Sequence, residues 1–448
     1  MSDVAHPVSL ESSARFVREA MPAAGLFAGQ DWRTSPVPFP LGPELACEFE
    51  TLGRVLLQFY KAVNLLYRHS IDGKQPAWVA ALLDQGKPAE VIERQRSAAF
   101  KSEVPRVIRP DVLPTEHGFI ISELDSVPGG IGLTAWLNQT YAALAVNNPG
   151  SPAPIGGANG MVKGFSSIFG DAKKVHIVVS DESATYRPEM QWLAGQLDPA
   201  RFLVQPPSFN APGAGDAIYR FFELFDLPNI PAAQNLLALA AEKKIRLTPP
   251  PKTIFEEKLL FALLWNRNLR SFWRQHLGES FLERLLKVVP YTWVVDPAPL
   301  PPHAAIPELN LTDWQQLKAL SQKDRDLILK VSGFSENAWG ARGVYLGSDL
   351  SVAEWSEAVD HAITCFPDSP FVLQRYYKPR LVQSQYFDFQ GGRLQAMPGR
   401  ARLCPYYFVA GEIDGARAEL GGVLATICPP DKKIIHGMTD AILAPCSV

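Results

Sequence analysis

Between Val107 and Asp125 two short apolar runs flank Pro114-Thr-Glu-His-Gly118, and a turn signal set between β-branched segments commits this part of the chain to an antiparallel hairpin. The strands are expected over Val107 to Leu113 and Phe119 to Leu124. Side chains two apart on a strand share a face, so Arg109 and Asp111 project together, as do Glu123 and Asp125. If the turn sets Asp111 opposite Glu123 and Arg109 opposite Asp125, all four charges converge on one patch. A slip by one residue would send the pairs to opposite faces. Three carboxylates in close quarters repel unless a cation is present. An all-oxygen set suits Mg²⁺, which takes one or two carboxylates and completes its shell with water and phosphate oxygens. Arg109 would then grip a phosphate as a planar fork. The plain alternative is a surface hairpin carrying ordinary ion pairs.

The rest of the chain has to bury that hairpin. At 448 residues the chain exceeds what one hydrophobic core normally supports, so two or three subdomains are expected. The net charge of -3 gives no global pull toward nucleic acid or an anionic membrane. No apolar run approaches a membrane span, and MSDVAHPVSLESSARF has no basic segment leading into an apolar one. The five cysteines are scattered without a Cys-x-x-Cys pair, which argues against a disulfide framework or thiolate zinc site and for a reducing cytoplasm.

Four regions are expected. Residues 1-105 form a helical region in which Leu52, Leu56, Phe59, Val63 and Leu66 recur at helical spacing, followed by a second helical stretch from Trp78 to Phe100. Residues 106-172 carry the hairpin, the glycine-rich loop from Ser126 to Gly132, and a helix from Leu133 to Ala145. Within 173-250, the run Lys174 to Ser180, a helix from Tyr186 to Leu197 and the run Phe202 to Gln205 make a βαβ-like unit. Residues 251-448 open with an amphipathic helix from Thr253 to Arg267 and are divided by a proline-rich linker at 296-308. Beyond it, strands over Asp326 to Ser332, Gly343 to Gly347 and Phe371 to Tyr377 enclose a helix from Val352 to Phe366. The whole reads as α+β, or mixed α/β, with several sheets.

Three further features carry chemistry. Lys330 ends an apolar strand and opens a loop containing Gly333, Gly340 and Gly343, whose amides could aim at phosphates. The loop is not a Walker A sequence. Gln374 interrupts an apolar strand whose edge could offer main-chain groups to an adenine ring. Lys258 lies on the helix with Ile254, Leu259, Phe261, Ala262 and Trp265, where an ammonium either snorkels to water or reaches a phosphate. Near the carboxyl end His436 is better read as a structural histidine than as a ligand contact.

In this order the features resemble the synthetase domain of the glutathionylspermidine synthase family, a circularly permuted member of the ATP-grasp enzymes. Its Arg-x-Asp strand and Glu-x-Asn-x-Asp-x-Pro segment have counterparts in Arg109-Pro-Asp111 and, twelve residues beyond the Asp, Glu123-Leu-Asp-Ser-Val-Pro128. Glu256 to Trp265 resembles its Ser-Asn-Lys-Ala helix, Lys330 its Lys-Pro strand, Val372-Leu-Gln374 its Ile-Tyr-Gln strand, and Ala217 to Asp226 its Tyr-Pro-Trp-Glu region. The likeness spans roughly residues 40 to 448.

That resemblance implies an ATP-grasp fold with a preATP-grasp-like βαβ subdomain, and an ATP- and Mg²⁺-dependent ligase that joins a small carboxylate to an amine through an acyl-phosphate. Catalysis would fall to Arg109 and Lys330, nucleotide binding to Lys258, Lys330, Gln374, Arg109 and Gly333, and the metal to Asp111, Glu123 and Asp125. Departures accompany the likeness. Asp125 stands where the family has Asn, Val127 replaces an acidic position, and the Gly-Ile-Arg-Glu strand becomes Gly421 to Thr426 without its Arg. Arg400 or Arg402 is a possible substitute. An alternative is therefore an ATP-grasp-like protein that binds nucleotide without ligating. A third is a structural partner presenting exposed aromatics such as Trp314, Trp339 and Trp355.

Overall fold

The computed structural model describes residues 9-22, 32-148, 151-338, 342-435 and 440-448. Among the described residues there are three sheets with helices between them, so the α+β reading is borne out. The largest sheet has eight strands. Across it run Arg33–Thr34, Ile442–Ser447, Arg417–Cys428, Arg393–Ala410, Val107–Thr115 and Gly118–Asp125, with Leu381–Asp388 beside Arg393–Ala410 and Phe39–Pro40 beside Ile442–Ser447. Helices cover both faces, which is why its central strands are apolar at nearly every position rather than alternately. Leu403, Tyr407 and Val409 enter the core shared with helix Pro43–Ile71, while Cys404, Tyr406 and Phe408 enter the core shared with helices Ile131–Asn147 and Gly160–Ser167.

Helix Pro43–Ile71 buries each of the residues whose spacing announces it: Leu52, Leu56, Phe59, Val63 and Leu66 are fully enclosed. Gly53 lets this helix approach the sheet, because a β-carbon there would stand 2.4 Å from the Tyr407 ring. The stretch expected as one helix from Trp78 to Phe100 is two, Ala77–Asp84 and Ala89–Arg96, parted where Gly86 takes a positive φ and Pro88 follows.

The second sheet is antiparallel, in the order Val344–Leu346, Leu327–Val331, Phe371–Arg375, Thr292–Val294, and is covered by helix Val352–Thr364. The proline-rich segment joins strand Thr292–Val294 to later strands of this same sheet, and Ile306 within it is buried in that sheet's core. Trp355 and Trp314 are buried there too, so the expectation that they are exposed is corrected: each ring fills the space between helix and sheet. Trp339 lies outside the described residues. The third sheet is parallel, Phe202–Gln205, Val175–Val179, Ala217–Phe221, Arg246–Thr248, with helix Arg187–Gly195 as the crossover between the first pair, as the βαβ reading anticipates.

Candidate active site

The hairpin strands pair in the register that brings the charges together, Arg109 opposite Asp125 and Asp111 opposite Glu123. Both strands extend further toward the turn than expected, to Thr115 and from Gly118. Just past Asp111 the register shifts, Val112 pairing with Ile121, so Ser122 has no partner across the ladder. Its carbonyl instead accepts the ammonium of Lys330 at 3.0 Å, a link from the second sheet to the first. No periodicity argument signals this bulge.

One cavity of about 420 Å³, within the size range of small-molecule sites, gathers nearly every residue singled out from the sequence. Arg109, Asp111, Glu123, Asp125, Lys258, Lys330 and Gln374 all line it. Arg402 lines it as well and Arg400 does not, which separates the two possible substitutes. Arg402 Nη1 lies 3.0 Å from Asp111 Oδ2, whereas the Arg400 guanidinium is spent on the carbonyls of Pro379 and Pro430. Apolar and aromatic side chains complete the wall, among them Leu113, Ile328, Val344, Tyr376 and Tyr377. They went unnoticed because nothing local marks them as facing a cavity.

Each carboxylate is matched by a cation. Arg109 reaches Asp125 at 2.9 Å and Asp111 at 3.3 Å, and Lys258 reaches Glu123 at 3.0 Å. Burial pushes the Asp111 carboxyl up, yet Arg402 and then Arg109 outweigh it and hold it below its ordinary value. Asp125 goes the other way: its burial prevails over the pull of Arg109. Burial lowers the Lys330 ammonium to about 8. That ammonium also donates to Gln374 Oε1 at 2.9 Å.

Three expectations need correction. Lys258 is not within an amphipathic helix. It precedes a short helix, Leu259–Trp265, buried from Leu259 to Leu264, after a separate turn at Thr253–Phe255, and donates to the carbonyls of Ala338 at 3.0 Å and Ser332 at 3.3 Å. Gln374 lies on no sheet edge: its strand is central, paired with Ile328 on one side and Thr292 on the other, so its main chain is engaged by the ladder. Gly333 does not turn its amide to the cavity. That N–H donates to the buried Glu257 carboxylate at 2.9 Å, which also accepts the Ser332 hydroxyl and pairs with Lys87 at 2.6 Å. Gly340 and His436 lie outside the described residues. The loop Ser126 to Gly132 is likewise closed from within, since Glu189 accepts the Gly130 N–H at 2.8 Å at the start of helix Ile131–Asn147.

The three carboxylates do not fit the expected Mg²⁺ site. Both oxygens of Asp111 face guanidiniums, with the Cys404 thiol 3.5 Å from Oδ1, and Asp125 is divided between Arg109 and the Val127 amide at 2.8 Å. Among the described residues no group of three His, Cys, Asp or Glu side chains is disposed to hold a metal ion. The repulsion that called for a divalent ion is met by Arg109, Arg402 and Lys258.

A cavity rich in cations lies between a hairpin-edged sheet and a four-stranded antiparallel sheet, beside a parallel βαβ sheet, in a mixed α/β protein. Among solved structures, the chain is similar over 98% of its length, and 97% of the other's, to a glutathione synthetase-like effector, GSS30, of Globodera pallida in apo form, with a TM-score of 0.57 and 11% identity. A looser likeness, TM-score 0.40 and 13% identity over 92% of this chain and 89% of that one, is to a protein provisionally described as a γ-glutamylcysteine synthetase of Methylobacillus flagellatus KT. No protein-family profile matches the chain, and no curated protein does. No helix among the described residues is long and apolar enough to cross a membrane.

Proposed function

We propose that this protein is an ATP-dependent ligase that joins a small carboxylic acid to an amine. The observation that carries the reading is the convergence of Arg109, Lys258, Lys330 and Arg402, drawn from four distant parts of the chain, on one cavity that also presents Ile328, Val344, Tyr376 and Tyr377. Apolar and aromatic walls suit a flat base, and fixed cations suit a polyphosphate. In the reaction an oxygen of the substrate carboxylate attacks the γ-phosphorus and ADP departs. The amine then attacks the acyl carbon of the acyl-phosphate and inorganic phosphate leaves. What the chain contributes is binding, orientation and charge. Arg109 and Arg402 offer fork-shaped donors to equatorial phosphate oxygens, and Lys330 places its ammonium where charge builds. The likeness to the glutathionylspermidine synthase family and to the Globodera protein supports ligase chemistry, and leaves the acid and amine open.

The test is release of ADP and phosphate across a panel of acids and amines. Turnover is expected only when both are present, and Lys330→Ala should abolish it while leaving the circular dichroism spectrum unchanged. A second reading, nucleotide binding without ligation, is favoured by the internal engagement of the Gly333 amide and by the Arg402 to Asp111 pair. Tight ATP binding with no turnover on any acid and amine pair would select it.

A further inference from the structure

We infer that the cavity takes its polyanionic ligand directly on Arg109 and Arg402, without a divalent ion held by the hairpin carboxylates. The inference deepens the nucleotide reading above and rests on it only for the identity of the ligand. Asp111 is the pivot. It stands between the two guanidiniums, 3.3 Å from Arg109 and 3.0 Å from Arg402, and so holds them side by side at the cavity wall. Both side chains line the cavity and are partly open to it, 15% and 19% exposed, so an oxyanion can lie against their guanidiniums.

A protein-held metal would need the opposite arrangement. To bind Mg²⁺, Asp111 would have to give up one of its arginines, placing that guanidinium beside a divalent cation, and Asp125 would have to release Arg109. Glu123 is the one member of the trio without a guanidinium partner, and it is tied to Lys258. The carboxylates thus act as positioning residues for cations. The lining sets Arg109, Arg402, Lys258, Lys330, Arg375 and Lys433 against three acids, a positive excess for the ligand when all are ionised.

The test is calorimetric titration of the full chain with ATP, once in EDTA and once in excess Mg²⁺. The two dissociation constants are expected to agree within about threefold. Asp111→Asn, which removes the charge a metal would need but keeps an amide oxygen for the arginines, should retain ATP binding within about tenfold of the parent chain in both conditions. Arg402→Gln should weaken binding about tenfold or more in both conditions. Thermal unfolding of each variant verifies that it is folded, and Arg402→Lys, which keeps the charge but loses the fork, should fall between parent and Gln variant. Binding seen only with Mg²⁺, or abolished by Asp111→Asn in a folded chain, overturns the inference while the nucleotide reading stands. If ATP binds in neither condition but inorganic tripolyphosphate binds in EDTA, the nucleotide reading falls and the metal-free anion site survives. If neither binds, both are overturned.

Discussion

Lys330 arrives in the cavity on a strand with no exposed position, and its ammonium, lowered by burial to about 8, is the form that attracts an anion. Affinity for triphosphate should therefore be level below that pH and fall as the pH rises through it. Lys330→Met should bind more weakly and lose this dependence, which calorimetry on either side of about pH 8 would reveal. Glu189 gives a stability counterpart. Burial raises its carboxyl from 4.5 to about 7, so in between the folded chain keeps a proton that the unfolded chain has lost. Its contribution is full below the unfolded value and disappears as the pH rises through about 7. Glu189→Gln should flatten that stretch of a denaturant midpoint against pH curve. At this scale the sequence tells a good deal about the charges and little about their partners. Alternation puts Arg109 with Asp111 and Glu123 with Asp125, while the register that joins the two pairs on one patch is read from the folded hairpin. The choice of Arg402 over Arg400 is not legible, because the two lie two apart on one strand and differ only in the distant carbonyls of Pro379 and Pro430 that capture Arg400.

Elements with a clear period are legible, and those decided by close approach are not. Helix Pro43–Ile71 follows from its spacing alone. The short helix Leu259–Trp265 has no such period, since Leu259 to Leu264 are all buried and no polar face marks its limits. Its start is fixed instead by the Ser332 hydroxyl, which accepts the Leu259 N–H at 3.0 Å. Packing of helix Gly160–Ser167 on the largest sheet depends on Gly156, with a φ of 82°, where a β-carbon would stand 1.9 Å from the Gly421 carbonyl oxygen. Gly156→Ala should cost about 1–3 kcal/mol for the backbone conformation alone, read as a lowered thermal midpoint. Trp355, misread as exposed, is a second check: Trp355→Ala should destabilise by about 3–5 kcal/mol, whereas an exposed tryptophan would cost little.

For the whole molecule, the consequential contacts are those between sheets. Lys330 to Ser122 and Lys258 to Glu123 join the hairpin to segments more than a hundred residues downstream. A ligand seated among these groups binds the folded chain alone. At about 100 times its Kd it should add roughly 2.7 kcal/mol of stability, and amide exchange should slow in both the hairpin and strand Leu327–Val331. Protection confined to one of the two sheets would contradict a site built across them. The overall class is visible in the sequence because strand and helix periods alternate in a recognisable order. The meeting of the sheets is not, since it depends on an unpaired carbonyl at Ser122 that only the folded register exposes.

Lys258 already satisfies a carboxylate and two carbonyls before any ligand arrives. A newcomer must outcompete Glu123, Ser332 and Ala338 for that ammonium, and a monovalent anion of modest charge starts at a disadvantage against such an incumbent. Engaging Lys258 as well as the two arginines is thus expected of densely charged molecules before abundant small anions.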